Sequence, residues 1–437
     1  MKNLHNHNID KLSTDAIVRI QHELLFDTLN YAYKTSAYYR RVFGEYDGVF
    51  SDSKTGELLK RLPFTTKQDI SVDNWEFLSV KKQDIAEIVS TSGTTGGPVF
   101  IALTFDDIER LTYNEERSFS YAGVAKGDLY HIAVSCDNLF IAGIAYYRGL
   151  IKLGASVVRI GQQGVLRHFD LIRKLKPYGI VAVPSFMTHM IRRAQEDGLD
   201  MKELGIEKIV LIGDSIRDAD LNTNTLGNFI EDSFGGKCYS TYGITEGQVS
   251  FCECEFHQGL HSHTELVFVE IIDDTGKPLQ DGEIGELVIT PLQLYGMPLI
   301  RYKTGDITFK ISTPCPCGRN SIRIGPILGR KHHRLKVEGV TLYPKTIENV
   351  ILEVKDIINY QIEAYTGDDQ TDHIVLRVGS HRKDNSFRSF LIDMIRAKTR
   401  VTPEIEIEPP DELEKRIFEG GRRKAVTFKD RRINLYV

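Results

Sequence analysis

VSTSGTTGGPVF, residues 89–100, is a run of serine, threonine and glycine with an apolar segment on either side. The pattern predicts a loop between two strands. Glycine allows the backbone to turn its N–H groups toward one point, and the hydroxyls add further donors, so the loop is able to wrap a polyphosphate. A flexible surface loop is the ordinary explanation of such a composition. The run alone therefore predicts a candidate phosphate site and nothing more.

This loop differs from the P-loop of Walker-type ATPases. That motif requires a lysine followed by serine or threonine after its second glycine. Gly97-Pro98 stands where the lysine would be. A Walker-type ATPase is therefore disfavoured, and the loop has to be interpreted together with the rest of the chain.

Length and composition narrow the class of protein. The chain has 437 residues, of which 41% are hydrophobic and 26% charged, which is typical of a soluble globular protein with two or three domains. A formal net charge of -5 offers no basic surface to nucleic acid. The N-terminus lacks the apolar core of a signal peptide, and no apolar run is long enough for a membrane span. We expect a cytoplasmic protein that binds neither nucleic acid nor membrane.

Strand and helix patterns alternate through the middle of the chain. GIVAVPS (179–185) and KIVLIGD (208–214) both predict buried strands that end in small or polar residues. This alternation predicts an α/β fold with helix-covered mixed sheets, whose ligands lie beyond the carboxyl ends of the strands. From Leu266 onward, alternating strands predict an antiparallel β subdomain.

The expected division is a large N-terminal domain, residues 1–330, and a small mobile α+β domain, residues 331–437. The small α+β domain is predicted from the order helix, strand, strand, helix, strand between residues 344 and 407. Near the N-terminus, Thr66 is followed three residues later by Asp69, a capping-box pattern that begins a helix. We expect only a structural role for that helix.

Four motifs occur in the order STSGTTGGP, YGITEG, LIRYKTGD and GRKHHRLKVEG. Together they resemble the core motifs of the adenylate-forming (acyl/aryl-CoA synthetase) superfamily. The segments SAYYRRVF, LPFTTKQDI, PLIRYKTGD and GVTLYPKTIENVI are similar to the phenylacetate–coenzyme A ligase branch. The resemblance spans nearly the whole chain, and four motifs in register make coincidence improbable.

The resemblance implies a reaction in two steps. A carboxylate first attacks the α-phosphate of ATP to give an acyl adenylate and pyrophosphate, and a thiol, usually that of coenzyme A, then displaces AMP. An acyl carrier protein presents the same phosphopantetheine thiol, so the acceptor stays open. The alternative to an enzyme is a nucleotide-binding relative that has lost turnover. Whether the chain forms a homodimer is left open.

The resemblance also implies which residues bind ATP. They are Ser92, Gly93, Thr94, Thr95 and Gly96 for the β,γ-phosphates, Gly213, Asp214 and Ser215 for the adenine pocket, Tyr242 and Gly243 beside the adenine, Thr245 and Glu246 for the α-phosphate, and Asp306 with Arg330 for the ribose. Glu246 is in addition the expected ligand of Mg²⁺, which takes a carboxylate together with phosphate oxygens.

Three positions depart from the family pattern. Gly97 replaces a lysine that the family commonly has in its phosphate loop, and His332 occupies the hinge position where relatives have aspartate or lysine. The third departure is Arg423, which precedes Lys424 where relatives have glycine before the lysine. Lys424 is the expected catalytic lysine that reaches the α-phosphate and the substrate carboxylate. Its register rests on a gapless count from the C-terminal end, so Arg422 and Arg423 remain competitors.

The acid-binding pocket is expected around Phe140, Tyr146, Ser185 and Phe186. Three aromatic side chains in this group suggest an aromatic or other apolar acid. Ordinary core packing explains the same residues about as well, so the sequence does not identify the acid.

Four of the six cysteines are crowded into two short pairs, Cys252-Glu-Cys254 and Cys315-Pro-Cys317. A structural Zn²⁺ site takes four Cys or His ligands, whereas buried free cysteines merely fill space as small apolar side chains. Some members of the ligase branch resemble this chain in having a metal pair at this place. The hypothesis is a structural zinc site formed by Cys254, His261, Cys315 and Cys317, with Cys252 as a reserve ligand.

Overall fold

A computed structural model describes residues 8–44, 59–91, 99–161, 164–367, 371–418 and 426–432. The chain separates into two compact units. The first contains Met1–Thr223 and Gly227–Ile327, and the second contains Asn224–Leu226 and Leu328–Val437. The main division thus falls close to the expected boundary after residue 330, while the functions and the mobility assigned to the two parts stay predictions.

Several helices begin where a capping side chain precedes an amphipathic segment. The Thr66 side chain accepts from the N–H of Asp69, and Asp69 accepts from the N–H of Thr66, which confirms the predicted capping box. Thr104 and Asp107 form a second one. Among the described residues, no helix is both long and apolar enough to cross a membrane. The helices are α1 (Thr14–Thr35), α2 (Ala37–Phe43), α3 (Lys67–Val72), α4 (Phe105–Tyr121), α5 (Ile141–Leu153), α6 (Val165–Leu175), α7 (Pro184–Glu196), α8 (Thr225–Phe234), α9 (Pro344–Ile351), α10 (Asn385–Thr399) and α11 (Pro410–Ile417).

The strands are short, and most of them are buried on both faces. They are β1 (Ile85–Ser90), β2 (Phe100–Thr104), β3 (Leu129–Ile132), β4 (Ser156–Arg159), β5 (Gly179–Ala182), β6 (Lys208–Ile212), β7 (Lys237–Ile244), β8 (Val249–Cys252), β9 (Leu260–His261), β10 (Val267–Ile272), β11 (Gly285–Pro291), β12 (Tyr302–Thr308), β13 (Lys310–Ile311), β14 (Arg323–Ile324), β15 (Gly329–Arg330), β16 (Leu335–Val337), β17 (Val340–Leu342), β18 (Asn359–Thr366), β19 (Asp372–Gly379), β20 (Glu404–Glu408) and β21 (Phe428–Asp430).

A mixed sheet forms the centre of the first unit. Its strand order is β13-β14-β9-β8-β7-β6-β5-β3-β4. The strands from β4 to β7 in that order are parallel, because each is connected to the next by a helix, and β8 turns back against β7. β10, β11 and β12 pair antiparallel. The expected α/β class with mixed sheets and an antiparallel subdomain is confirmed.

Two predicted strands end earlier than expected, and that expected over 208–214 ends at Ile212. The strand expected over 179–185 ends at Ala182, and Pro184 begins α7 as its first helical residue. Proline suits that position because the first N–H of a helix has no partner within the helix. Ser185 therefore lies in a first helical turn and not at a strand end.

The second unit is a four-stranded sheet in the order β20-β19-β18-β21. β18 and β19 are antiparallel, while β20 and β21 each run parallel to their neighbour. Side chains of α9, α10 and the sheet share one apolar core. The α+β pattern was predicted, whereas α11 and β21 were not.

Candidate nucleotide site and metal cluster

The two ends of the glycine-rich loop come together at a two-stranded hairpin. β1 and β2 pair antiparallel up to Ser90 and Phe100. Beyond them, the N–H of Thr91 donates to the carbonyl of Val99 at 3.0 Å, and the N–H of Val99 donates to Thr91 Oγ1 at 3.3 Å. The loop thus starts from a closed base. The expected phosphate-binding residues, Ser92, Gly93, Thr94, Thr95 and Gly96, lie outside the described residues, so their role stays a prediction.

Glu246 is held in the turn that follows β7. Its residue exposure is 8%. The Tyr302 hydroxyl donates to Glu246 Oε1 at 3.1 Å, and Lys67 Nζ lies 3.7 Å from the same oxygen. At Gly247 an added Cβ would meet Ile289 Cδ1 at 2.6 Å, so a larger residue would displace the end of that side chain. The carboxylate is therefore fixed between a hydroxyl and an ammonium group.

Lys67 is the residue that the sequence analysis missed, because we expected only a structural role for α3. The residue before the cap, Thr65, is attached to the start of β12: its N–H donates to the carbonyl of Arg301 at 3.1 Å, and its own carbonyl accepts from the N–H of Lys303 at 2.9 Å. Its hydroxyl donates to the carbonyl of Ile300 at 2.8 Å. The signal that could have found Lys67 is the absence of a lysine at Gly97, which leaves a phosphate site short of one positive charge.

Tyr242 and Asp306 meet although they belong to different sheets. The Tyr242 hydroxyl donates to Asp306 Oδ2 at 2.7 Å, and the N–H of Asp306 donates to Thr304 Oγ1 at 3.1 Å. Gly243 follows in β7 and is exposed. Thus the structure brings together an aromatic ring and a carboxylate that the sequence analysis placed at the adenosine.

The turn Gly213–Ser215 lies at the same sheet edge. β6 and β7 are parallel neighbours, and Ile212 pairs with Thr241. The residues that follow, Gly213 and Tyr242, are therefore at corresponding positions of adjacent strands. Thr245 lies farther along, where its carbonyl accepts from the N–H of Gln248 at 3.2 Å.

The expected acid-binding residues belong to one apolar cluster. Tyr146 is buried there and contacts Phe119 edge to face at 5.6 Å, while Phe140 and Phe186 are partly buried against the cluster. Ser185 is exposed. Tyr146 is therefore a core residue by position, and its role as a pocket wall stays a prediction.

The predicted metal ligands come together from three segments of the chain. Ligand atoms of Cys254, His261, Cys315 and Cys317 all lie within 4.8 Å of one another. Cys254 Sγ is 3.7 Å from Cys315 Sγ, and Cys317 Sγ is 3.5 Å from His261 Nε2. His261 Nδ1 is 3.2 Å from Ser321 Oγ. The four residues are the set that the sequence analysis selected.

Cys252, the reserve ligand, is not part of that group. It is fully buried within the apolar cluster that contains Tyr146, and burial raises the pKa of its thiol well above the usual value. Of two further expected site residues, Arg330 lies in β15, near the start of the second unit, and Lys424 lies outside the described residues. Their functions stay predictions.

Comparison with known proteins places this geometry in a family. Residues 48–295 match the family described as AMP-binding enzyme. The chain belongs to that family. Phenylacetate-coenzyme A ligase of Thermus thermophilus is 33% identical to this AMP-binding enzyme over 362 residues, which are 81% of this chain and 79% of that protein. Phenylacetate-coenzyme A ligase of Escherichia coli is 30% identical over 363 residues, 81% of this chain and 80% of that protein.

A solved structure shares the fold of this AMP-binding enzyme. It is 2-hydroxyisobutyryl-CoA ligase in the postadenylation state in complex with R3-HIB-AMP, with a TM-score of 0.82. The match covers 97% of this chain and 91% of that chain at 21% sequence identity. The predicted superfamily and the ligase branch are confirmed by the family match and by the two phenylacetate-coenzyme A ligases.

Proposed function

We propose that this AMP-binding enzyme is an AMP-forming ligase that joins a carboxylic acid to coenzyme A through an acyl adenylate. The observation that carries the proposal is the contact between Tyr242 and Asp306, 2.7 Å apart and contributed by different sheets. An aromatic ring stacks on a base, and a carboxylate accepts from the two hydroxyls of a ribose. Adenosine therefore suits this place better than an inorganic phosphate or a simple acid does.

Glu246 suits a magnesium ion that accompanies ATP. In nucleotide sites Mg²⁺ is bound by one or two carboxylates together with phosphate oxygens, and the Glu246 carboxylate is buried but held at one oxygen by Tyr302. When bound, the ion neutralises phosphate charge. Thr245, the preceding residue, would direct its hydroxyl to the α-phosphate.

Lys67 would supply a positive charge to the triphosphate. Its ammonium lies 3.7 Å from Glu246 Oε1, and its side chain is 32% exposed, so it is accessible to a ligand. Charges that are already in position are worth more in catalysis than charges that have to be ordered during the reaction. The family commonly has a lysine where this chain has Gly97. We therefore propose that Lys67 supplies the positive charge that the glycine-rich loop lacks at that position.

The second unit would serve both half-reactions in turn. Lys424 would contact the α-phosphate and the substrate carboxylate while the adenylate forms. A hinge absorbs its backbone change at a few residues, and Lys331–His333 form a short 3-10 turn close to the division between the units. We propose that rotation at His332 removes Lys424 from the site before the thiol enters.

The acid is proposed to be aromatic or otherwise apolar, with phenylacetate as the first candidate. Phe140 and Phe186 are both partly buried at the cluster that contains Tyr146. The backbone N–H of Ser90 donates to the carbonyl of Leu139 at 2.9 Å. This hydrogen bond joins the segment before Phe140 to the start of the glycine-rich loop, so acid and phosphate would lie close to each other.

The proposal is tested by ATP–pyrophosphate exchange, measured with phenylacetate and a panel of aliphatic and aromatic acids. Exchange that depends on an acid is expected. A protein that binds ATP but shows no exchange with any acid would be a binding relative without turnover, which contradicts the proposal. Substituting a phosphopantetheinylated carrier protein for coenzyme A in the second step distinguishes the two acceptors.

The four-residue cluster fits zinc by its distances. Bond lengths of about 2.3 Å for Zn–S and about 2.0 Å for Zn–N in a tetrahedron separate two sulfurs by about 3.8 Å and a sulfur from a nitrogen by about 3.5 Å. Cys254 and Cys315 are 3.7 Å apart at sulfur, and Cys317 Sγ is 3.5 Å from His261 Nε2. A hydrogen-bond acceptor at the second ring nitrogen commonly orients a metal-bound imidazole, and the Ser321 hydroxyl lies 3.2 Å from His261 Nδ1.

We propose a structural role for this zinc. Four protein ligands leave no coordination position for water or substrate, which distinguishes structural from catalytic zinc. All six cysteines are free, in agreement with a reducing cytoplasmic location. The ion would join the end of β8 to the segment between β13 and β14.

A further inference from the structure

The turn after β6, which carries Asp214 and Ser215, is closed by its own side chains. Gly213 has a φ of 90°, a left-handed conformation that favours glycine. The N–H of Ser215 donates to Asp214 Oδ1 at 3.1 Å, and its hydroxyl donates to the carbonyl of Arg217 at 3.0 Å. The position of this turn therefore depends on where Arg217 is held.

Arg217 is anchored by a buried carboxylate. Its Nε donates to Glu253 Oε1 at 2.9 Å and its Nη2 donates to Glu253 Oε2 at 3.2 Å, which is a bidentate pair. Nη2 also donates to the carbonyl of Cys238 at 3.2 Å. The side chains of the pair are only 6% and 1% exposed. Loss of Arg217 would remove the bidentate partner of the buried Glu253 carboxylate and leave it with His257 Nδ1 at 3.0 Å and the N–H of Ser240.

Glu253 also forms hydrogen bonds with β7, the strand on the other side of the proposed adenine site. Its Oε2 accepts from the N–H of Ser240 at 3.0 Å, and its own N–H donates to the carbonyl of Ser240 at 3.1 Å. Ser240 lies two residues before Tyr242 in β7. One carboxylate thus fixes the turn that carries Asp214 on one side and the strand that carries Tyr242 on the other.

The next residue after Glu253 is Cys254, which belongs to the metal cluster. Cys254 Sγ lies 3.7 Å from Cys315 Sγ. An ion bound there would restrain Cys254 and, through one peptide unit, the backbone of Glu253. The two segments beside the proposed adenine site are therefore connected to the metal cluster through the peptide unit between Glu253 and Cys254.

We propose that Arg217 and Glu253 are positioning residues for the adenine-binding walls, and that the metal cluster supports them through Cys254. The inference rests on the proposed nucleotide site. It implies that metal occupancy and the affinity for adenine nucleotides are coupled. Because such coupling is reciprocal, bound nucleotide must also retain the metal more tightly.

The test measures the Kd of AMP and of ATP by calorimetry on the full chain, with the zinc content determined for each sample. Arg217→Met is expected to raise both Kd values by the same factor, about tenfold, which lies within the usual range of coupling between sites. An equal effect is expected because the adenine walls contact a part that both nucleotides share. Chelator removal of zinc from the unaltered protein should raise the Kd of AMP, and added Zn²⁺ should restore it.

Arg377→Met serves as the matched control. It breaks a partly buried ion pair of the second unit, in which Arg377 Nη1 lies 3.0 Å from Glu408 Oε1. This control is expected to lower stability without changing the Kd of AMP. Loss of general stability alone would give equal effects in Arg377→Met and Arg217→Met, which would overturn the inference.

An unchanged Kd of AMP in folded Arg217→Met, or in zinc-free protein, would also overturn it. If Arg217→Met does not fold, the double variant Arg217→Met/Glu253→Met is measured in its place, because it removes both buried charges. Failure of the proposed function is recognised separately, because the unaltered protein would then show no acid-dependent pyrophosphate exchange.

Discussion

The proposed contribution of Lys67 is a single positive charge beside Glu246. Its ammonium is 3.7 Å from Glu246 Oε1, and removal of a positioned group that stabilises developing charge costs roughly 100- to 1,000-fold in rate. Lys67→Gln is expected to slow acid-dependent pyrophosphate exchange by about that factor and to weaken binding of ATP but not of AMP. Exchange rates and calorimetry measure the two effects.

Lys82→Gln is the matched control for Lys67→Gln, because it removes the same charge from an exposed lysine. It should retain the exchange rate, and Lys67→Arg should recover part of it. Equal weakening of ATP and AMP in Lys67→Gln would assign this lysine to the packing of the site instead of to the triphosphate.

Glu115 makes stability depend on pH. Burial raises the pKa of this carboxyl to about 8, although a hydrogen bond with Ser250 lowers it in part. The folded state therefore binds a proton that the unfolded chain releases near pH 4.5, and stability is lost as pH rises from there to about 8. Glu115→Gln is always neutral. Its melting temperature should exceed that of the unaltered protein increasingly from pH 5.5 to pH 8.5.

A constant difference in melting temperature between the two proteins across that pH range would contradict the buried, protonated state of Glu115. Asp106→Asn gives the control, because Asp106 is exposed at the start of α4. This substitution should leave the pH dependence of stability unchanged.

At the level of single helices and strands, the sequence predicts local features well. The capping box of Thr66 and Asp69 is local, because the side chains reach backbone groups three residues away, and it was predicted correctly. The grouping of Cys254, His261, Cys315 and Cys317 was predicted because two Cys-x-Cys pairs are rare enough to demand an explanation, while their binding of a metal stays a prediction. Pro184 was assigned to the wrong element because proline is compatible both with the end of a strand and with the first turn of a helix.

The contacts of Lys67 with Glu246 and of Arg217 with Glu253 join residues far apart in the sequence. No local periodicity encodes such pairs, because they depend on which strands become neighbours in the folded sheet. Only the missing lysine at Gly97 gave an indirect signal. The candidate site was therefore predicted in its motifs and not in its long-range ion pairs.

The metal cluster joins two loops that have little secondary structure of their own. Cys315→Ser is expected to remove the zinc from the purified protein and to lower the melting temperature by roughly 4 °C or more, which corresponds to about 2 kcal/mol for a domain of this size. Elemental analysis gives the metal content. Cys136→Ser, a half-buried cysteine outside the cluster, should retain one zinc per chain.

Substoichiometric zinc in the unaltered protein, purified without added metal, would contradict the structural site. So would a Cys315→Ser variant that keeps both its zinc and its melting temperature. Replacement of Cys252 serves as a further discriminator, since it lies in the apolar cluster and should not change the metal content.

At the scale of the whole molecule, the order of the four motifs predicted the family. The identity of the acid was not predictable, because residues such as Tyr146 also fill the core, and aromatic composition is the same for a core and for a pocket wall. The acceptor thiol is likewise a property of the partner. Both answers require chemistry performed by the complete chain.

Lys424→Ala tests the division of labour between the units. The lysine charge is needed as negative charge moves onto pyrophosphate, so adenylate formation should slow by about 100- to 1,000-fold. Thioester formation from preformed acyl adenylate should change much less. Single-turnover assays of each half-reaction provide the measurement, with Arg423→Ala in parallel. A larger effect in Arg423→Ala, or equal loss of both steps in Lys424→Ala, would refute the assignment of this lysine.

The most direct test of the central claim is to identify the products of one reaction that contains the protein, Mg²⁺–ATP, coenzyme A and an acid that supports pyrophosphate exchange. Chromatography with mass spectrometry separates the nucleotides and the acyl thioester. AMP, pyrophosphate and acyl-coenzyme A are expected in equal amounts, and none of them without the acid. Formation of ADP and phosphate, or release of AMP without any thioester, would contradict it.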